Sequence, residues 1–297
     1  MQDKYKNCTL CARKCGSDRT AGVLGYCRIG ASPRVARAAL HEWEEPPISG
    51  TRGSGTIFFS GCSLSCIFCQ NKSISHGGFG KELTHQKLAE IMLRLQDEGA
   101  HNINFVTPTH FSPSVVESVK IARNNGLLLP IVYNTSSFDT PETIKMLSGT
   151  VDIYLPDLKY YRSKTAKEYS KAEKYVDVAR EAIDAMVSDI GAPVIDSDGI
   201  MKRGVIARIL LLPGHLAEAK LSVKYLFDKY GDGIYVSLMS QYTPMPDMPP
   251  PLNRRVTREE YSELCDYALR LGVKNGFTQE YESASESFIP LFDLLGV

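Results

Sequence analysis

Three cysteines stand close together in segment 61–71, at the spacing C-x3-C-x2-C: Cys62, Cys66 and Cys69. Thiolates at this spacing in one compact loop can bind three irons of a cubane [4Fe–4S] cluster, which leaves the fourth iron without a protein ligand. An open coordination position is typical of catalytic metal sites, whereas electron-transfer clusters normally use four cysteines. The alternative interpretation is a loop of buried or zinc-binding cysteines.

A second cysteine group lies near the N-terminus, with the spacing C-x2-C-x3-C-x11-C: Cys8, Cys11, Cys15 and Cys27. Gly16, Gly22 and Gly25 supply tight turns between them. Four thiolates make a closed site, and both zinc and a second, auxiliary [4Fe–4S] cluster fit it. The eighth cysteine, Cys265, lies in an amphipathic helical pattern and is interpreted as a core residue.

The composition is that of an ordinary soluble enzyme. Lys+Arg and Asp+Glu both total 34, so the formal net charge is zero, and we expect no nucleic-acid partner. No long apolar run appears, and the first residues, MQDKYKNC, lack the apolar core of a signal peptide. We therefore expect a cytoplasmic protein with no membrane contact, in which cysteines bind metal instead of forming disulfides.

Strands and helices alternate along most of the chain. A parallel α/β fold is expected from six strand–helix repeats, and six units favour a partial (β/α)6 TIM-type barrel over a complete eight-stranded one. A doubly wound open sheet is the alternative. The predicted strands cover 56–60, 103–106, 128–133, 151–155, 205–212 and 234–238; the predicted helices begin near residues 85, 112, 140, 164, 215 and 257.

Two domains are predicted. Residues 1–46 form a small N-terminal module pinned by metal, because so short a segment cannot build its own core, and residues 47–297 form the barrel. The Pro- and Gly-rich stretch 44–55 marks the boundary. Just before the barrel, the segment His41, Trp43, Glu44 and Glu45 is interpreted as a linker in preference to a catalytic position at the barrel mouth.

The motif around Cys62 resembles that of radical S-adenosylmethionine (SAM) enzymes, and more closely the pyruvate formate-lyase-activating-enzyme-like group. Within that group the chain is similar to a poorly characterised branch that shares the four-cysteine module and the phrases WEEPPISG (43–50) and TPTH (107–110). The resemblance implies that the open iron binds SAM. Reductive cleavage of SAM would give a 5′-deoxyadenosyl radical that abstracts hydrogen from the substrate, with the cofactor supplying the difficult chemistry.

The resemblance also implies positions that contact the cofactor. Phe68 matches the aromatic residue near the adenine. The family's Gly-Gly-Glu stretch, which receives the cofactor's amino group, is replaced by 107–110, where Thr107 and Thr109 are the substitutes. Asp157 and Lys159 resemble the family's Asp-x-Lys pair, whose charges suit ribose hydroxyls and a carboxylate. Polar contacts are also implied for Asn134 and Arg208, and Gln241 and Tyr242 are placed at the border of the same site.

The resemblance suggests a cytoplasmic enzyme that activates a glycyl radical enzyme, its protein substrate. Radical modification of another peptide or of a small metabolite is the alternative, because the altered 107–110 segment and the cysteine module separate this chain from known activators. The electron donor would be a flavodoxin- or ferredoxin-like protein. A different class, a non-catalytic iron–sulfur electron carrier or sensor, would need no SAM pocket.

Overall fold

The computed structural model describes residues 2–279 and 290–297. The strands in these ranges are β1 (Arg34–His41), β2 (Ser54–Phe59), β3 (Lys81–Glu82), β4 (Ile103–Val106), β5 (Ile131–Thr135), β6 (Ile153–Pro156), β7 (Val194–Ile195), β8 (Met201–Leu210), β9 (Tyr235–Met239) and β10 (Gly276–Thr278). They form one sheet in the order β10-β9-β8-β6-β5-β4-β2-β1-β3, with β7 paired to β8.

The helices surround this sheet: α1 (Pro46–Ser49), α2 (Lys72–Ser75), α3 (His85–Asp97), α4 (Ser112–Asn124), α5 (Pro141–Leu147), α6 (Ser163–Ser170), α7 (Tyr175–Ile190), α8 (Leu216–Tyr230) and α9 (Arg258–Leu271). Thr257 and Glu260 form a capping box at the start of α9, the helix predicted to begin near residue 257. Ser112, predicted as a helix cap, is instead the first residue of α4, and its hydroxyl donates to the Thr109 carbonyl at 2.8 Å.

All six predicted strands are present and parallel to their neighbours, in chain order from β2 to β9. The fold is therefore the predicted α/β partial barrel of the TIM type. Four further strands were not predicted: β1, β3, β7 and β10. β10 adds three residues parallel to β9, and β1 pairs antiparallel with β2, in a segment where small alanines between arginines gave no clear apolar pattern.

The predicted helix 164–190 is two helices. Lys171 ends α6 in the left-handed conformation, with φ +51°, and its backbone N–H bonds to the carbonyls of Ala166 and Lys167. The chain then restarts as α7. This break matters for the site, because the end of α6 contacts the loop that follows β2.

The short helix α1 closes the lower end of the barrel. Ile48 is fully buried there and packs with apolar side chains from three parallel strands: Val132, Ile153, Leu155 and Ile206. The amide of Asn102 donates to the Ile48 carbonyl at 2.7 Å. The residues just before α1 are thereby held inside the barrel.

Candidate active site

Polar side chains lie above this apolar layer. Side chains two residues apart on a strand point to the same face, so Asn134 follows Val132 into the barrel and Arg208 follows Ile206. Both polar residues stand near the carboxyl ends of their strands, where ligand sites of parallel barrels form. The sheet therefore builds a polar layer between its core and its mouth.

The loop after β2 carries the three cysteines. It turns at Gly61, whose φ is +84°; a Cβ there would lie 2.3 Å from Ile29 Cγ1, so this close approach requires glycine. Ser170, at the end of α6, donates its hydroxyl to Cys66 Sγ at 2.9 Å. The Leu64 amide donates to Cys62 Sγ at 3.4 Å. Two of the thiols are thus oriented by neighbouring donors.

The three thiols influence one another electrostatically. Burial raises the pKa of Cys62, and Cys66 and Cys69 raise it further. Burial also raises the pKa of Cys66, against the opposing charge of Lys159. Iron binds thiolates, and its positive charge offsets the cost that burial imposes on them. The donor set is thus chemically suited to an iron–sulfur cluster.

A charged network lies beside the cysteine loop. Asp157 accepts hydrogen bonds from Lys159 Nζ at 2.6 Å and from Arg208 Nε at 2.9 Å. Arg208 also donates to Asn134 Oδ1 at 2.5 Å. Burial raises the pKa of Asp157, but Arg208 and Lys159 outweigh it and hold this pKa below its usual value. The structure thus brings these four predicted residues together.

Glu44 completes this network, so its interpretation as a linker residue is wrong. Its Oε1 accepts from the amides of Asn104 at 3.0 Å and Asn134 at 3.3 Å, and its Oε2 lies 3.3 Å from Arg208 Nη1. Glu45 beside it is also buried. The sequence signal available for both was Ile48, an apolar residue that follows the two glutamates after Pro46 and Pro47.

A cavity of about 310 Å³ opens above the network. Cys66 and Cys69 line one part of it, together with Phe68 and Tyr242, whose rings meet edge to face with centroids 5.9 Å apart. Gln241 also lines it, and its carbonyl accepts from Gln70 Nε2 at 3.0 Å. The cysteine loop and the end of β9 therefore share one cavity.

Thr107 and Thr109 are placed differently. Neither is among the residues that line the cavity. Thr107 has φ +59° and its amide donates to the Asn134 carbonyl at 2.9 Å. Thr109 is buried, with its hydroxyl 3.2 Å from that of Thr135. His110 in the same segment bonds through Nε2 to the Ser60 carbonyl at 2.8 Å, which ties this segment to β2.

The four N-terminal cysteines lie together beside the cysteine loop. Cys8, Cys11 and Cys27 are buried and Cys15 is exposed. Burial raises the pKa of Cys11 to about 12, and the neighbouring thiols Cys27 and Cys8 add to this rise. In residues 2–279 and 290–297, no three His, Cys, Asp or Glu side chains are arranged to hold a single metal ion.

The comparisons agree with this site. Residues 56–215, more than half of the chain, match the Radical SAM superfamily. The uncharacterized protein MJ0674 of Methanocaldococcus jannaschii is 30% identical over 275 residues, which cover 89% of this chain and 75% of the relative. The chain therefore belongs to the radical SAM superfamily. It is accordingly a radical SAM enzyme, a class that uses a [4Fe–4S] cluster and SAM.

Solved structures support the fold alone, since their sequence identity is low. A radical SAM methyltransferase from Sphaerobacter thermophilus has a TM-score of 0.53 and 16% identity, over 75% of this chain and 66% of that one. HydG, a maturase of the [FeFe]-hydrogenase, has the same score and identity over 75% of this chain and 50% of its own. Within the described ranges, no helix has the length and apolar character needed to span a membrane.

Proposed function

We propose that Cys62, Cys66 and Cys69 bind the [4Fe–4S] cluster and that the cavity beside them receives SAM. The main support is that Cys66 and Cys69 line the same cavity as the Asp157 network. Bound there, the cluster would supply the electron that cleaves the sulfonium C–S bond of SAM, and the cofactor would thereby supply methionine and a 5′-deoxyadenosyl radical for hydrogen abstraction. The other proposed cofactor contacts are Phe68, Asn134, Asp157, Lys159 and Arg208, which all line the cavity; Thr107 and Thr109, which do not line it, are not among them.

The chain's own residues orient the cofactor and exclude water. Lys159 and Arg208 are held in place by Asp157 before any ligand binds, so little reorganisation is needed when a carboxylate or ribose arrives. Lys159 is close enough to Cys66 for each to affect the other's pKa. The fixed cation therefore faces the ligand sphere of the cluster.

The proposed reaction is hydrogen abstraction from a glycine of a glycyl radical enzyme, with another peptide or a small metabolite as the alternative substrate. We further propose that Cys8, Cys11, Cys15 and Cys27 hold zinc or an auxiliary [4Fe–4S] cluster, and that a flavodoxin- or ferredoxin-like protein donates electrons. All eight cysteines are unpaired, which supports a cytoplasmic location.

The test uses the full chain, reconstituted anaerobically with iron and sulfide. With dithionite and SAM it should form 5′-deoxyadenosine, and Asp157→Asn should weaken SAM binding at least about tenfold, since a charge-assisted pair contributes about 1.5–3 kcal/mol. Asp228→Asn, on the exposed face of α8, should change neither. A non-catalytic carrier would give no 5′-deoxyadenosine and no change in the electron paramagnetic resonance spectrum of its reduced cluster when SAM is added.

A further inference from the structure

The cavity wall contains one carboxylate more than its cations can balance. Among the described residues that line the cavity, Lys159 and Arg208 carry the positive charges. Asp157 accepts from both of them, and Glu44 pairs with Arg208. These two carboxylates therefore match the two cations, and the third carboxylate, Glu45, has no counter-ion of its own.

Glu45 is also short of hydrogen-bond donors. Its side chain is 8% exposed, and its Oε2 is buried without a partner among the described residues. Burial raises the pKa of Glu45, the positive charge of Arg208 lowers it, and the neighbouring Glu44 raises it again. A buried carboxylate is costly unless a cation or several donors face it. The most direct relief is a positively charged ligand in the cavity.

The position of Glu45 is rigid. Its carbonyl accepts from the amides of Ile48 and Ser49 at 2.8 and 3.0 Å, and two prolines follow it in α1. Ser237 on β9 lies close enough to this side chain to lower the pKa of Glu45. The backbone that carries this carboxylate is therefore fixed before a ligand binds.

We propose that Glu45 binds a protonated amine, either an ammonium or a guanidinium group, carried by the substrate. This inference rests on the proposed function, because it names the substrate class of the same site. SAM carries an amino group too, and Arg208 is one of its proposed contacts. The groups that act on Glu45 nevertheless lie on β8 (Arg208), on β9 (Ser237) and next to it in the chain (Glu44), and none belongs to the cysteine loop. The Asp157 and Lys159 pair instead acts on Cys66. Glu45 thus faces the β8–β9 side of the cavity.

The probe is n-butylammonium, with 1-butanol as its neutral counterpart. The chain has a single tryptophan, Trp43, and it lines the cavity, so its fluorescence reports binding to the reconstituted full chain. The wild type should bind n-butylammonium at least about tenfold more tightly than 1-butanol, as a charge-assisted contact implies. Glu45→Gln, which keeps the shape of the side chain, should remove this preference; Glu42→Gln, at an exposed neighbour, should keep it.

Repeating the titration with saturating SAM separates the two sources of an amine. Retained binding of n-butylammonium, with unchanged affinity of Glu45→Gln for SAM, supports a substrate site. Displacement of the amine by SAM, or equal binding by wild type and Glu45→Gln, overturns the proposal. Formation of 5′-deoxyadenosine is measured separately, so its absence would contradict the proposed function without altering the outcome for Glu45.

Discussion

Arg13 joins the N-terminal cysteine module to the loop of the three barrel cysteines. Its Nε donates to the Ser63 carbonyl at 2.9 Å and its Nη1 to the Lys171 carbonyl at 2.7 Å. Its Nη2 donates to the Ser170 carbonyl at 3.4 Å, and its guanidinium carbon lies 3.9 Å from the centre of the Tyr26 ring. One side chain thus holds the cysteine loop against the end of α6.

This contact reaches the cluster ligands through Ser170. The hydroxyl of Ser170 donates to Cys66 Sγ, and the Tyr26 hydroxyl donates to Ser65 Oγ at 2.9 Å. If Arg13 is removed, the loop keeps these contacts but loses the one side chain that bonds to both the loop and the end of α6. We therefore expect Arg13→Ala to loosen the loop that carries Cys62, Cys66 and Cys69.

The expected magnitude follows from these contacts. Hydrogen bonds to charged groups contribute about 1.5–3 kcal/mol each when well formed, and a cation–π contact adds about 1 kcal/mol. The bond to Lys171 is exposed and the bond to Ser170 is long, so both contribute less than this. The free energy of unfolding of Arg13→Ala should therefore be about 3 kcal/mol lower than that of the wild type. For a chain of this size the midpoint of thermal unfolding should fall by about 6 °C. Arg13→Lys keeps the charge without the planar fork, so it should recover less than half of this loss.

The assay compares thermal unfolding and the rate of iron loss to a chelator in the anaerobically reconstituted full chain. Both Arg13 variants should lose iron faster than the wild type, and Lys4→Ala, at an exposed position in the same module, should not. A midpoint within about 1 °C of the wild type, together with unchanged iron retention in Arg13→Ala, would refute a role of Arg13 in holding the loop.

Two further predictions concern pH and metal content. Burial beside Arg19 lowers the pKa of His110 from 6.5 to about 3. As the pH falls, this histidine is therefore protonated in the unfolded chain before it is protonated in the folded one. The free energy of unfolding should consequently decrease below about pH 6.5, by about 1.4 kcal/mol per pH unit for this one group. Denaturant unfolding of the wild type and two variants at pH 6.5 and 5.5 checks this. The loss of unfolding free energy between the two pH values should be smaller in His110→Gln and unchanged in His85→Asn. The same loss in the wild type and both variants would contradict the prediction. Metal analysis of the variant Cys62→Ala/Cys66→Ala/Cys69→Ala should find one metal site retained at the N-terminal cysteines. Zinc without iron would exclude an auxiliary cluster there, and residual iron and sulfide would exclude zinc. Loss of all metal would contradict a four-cysteine metal site.

The repeating features of the fold were predictable from sequence. Long apolar strands such as 205–212 and the capping pair Thr257 and Glu260 carry local signals that tertiary contacts reinforce. β10, with three residues, is too short for such a signal. The break at Lys171 was missed because a lysine in the left-handed conformation leaves no trace in a helical pattern.

The site was predictable only where residues follow a strand or share a motif. Asn134, Asp157 and Arg208 lie near the carboxyl ends of successive parallel strands, so topology alone brings them together. Glu44 lies in the shared phrase 43–50, but that phrase does not show where its side chain points, because its place depends on β1 and on α1 closing the barrel. Ser170 is likewise the last residue of a helix, and its contact with Cys66 depends on where that helix ends.

These missed residues bear on substrate choice. The match to the superfamily covers 56–215, whereas Glu44 and Glu45 precede it and Ser237 follows it. Within the matched region, Asp157 and Arg208 form an ion pair beside the cysteine loop. The unbalanced charge of the cavity therefore comes from residues outside the region that matches the superfamily. Substrate specificity in this protein should accordingly follow changes at Glu45 and its neighbours on β9, while changes at Asp157 should affect SAM binding whatever the substrate.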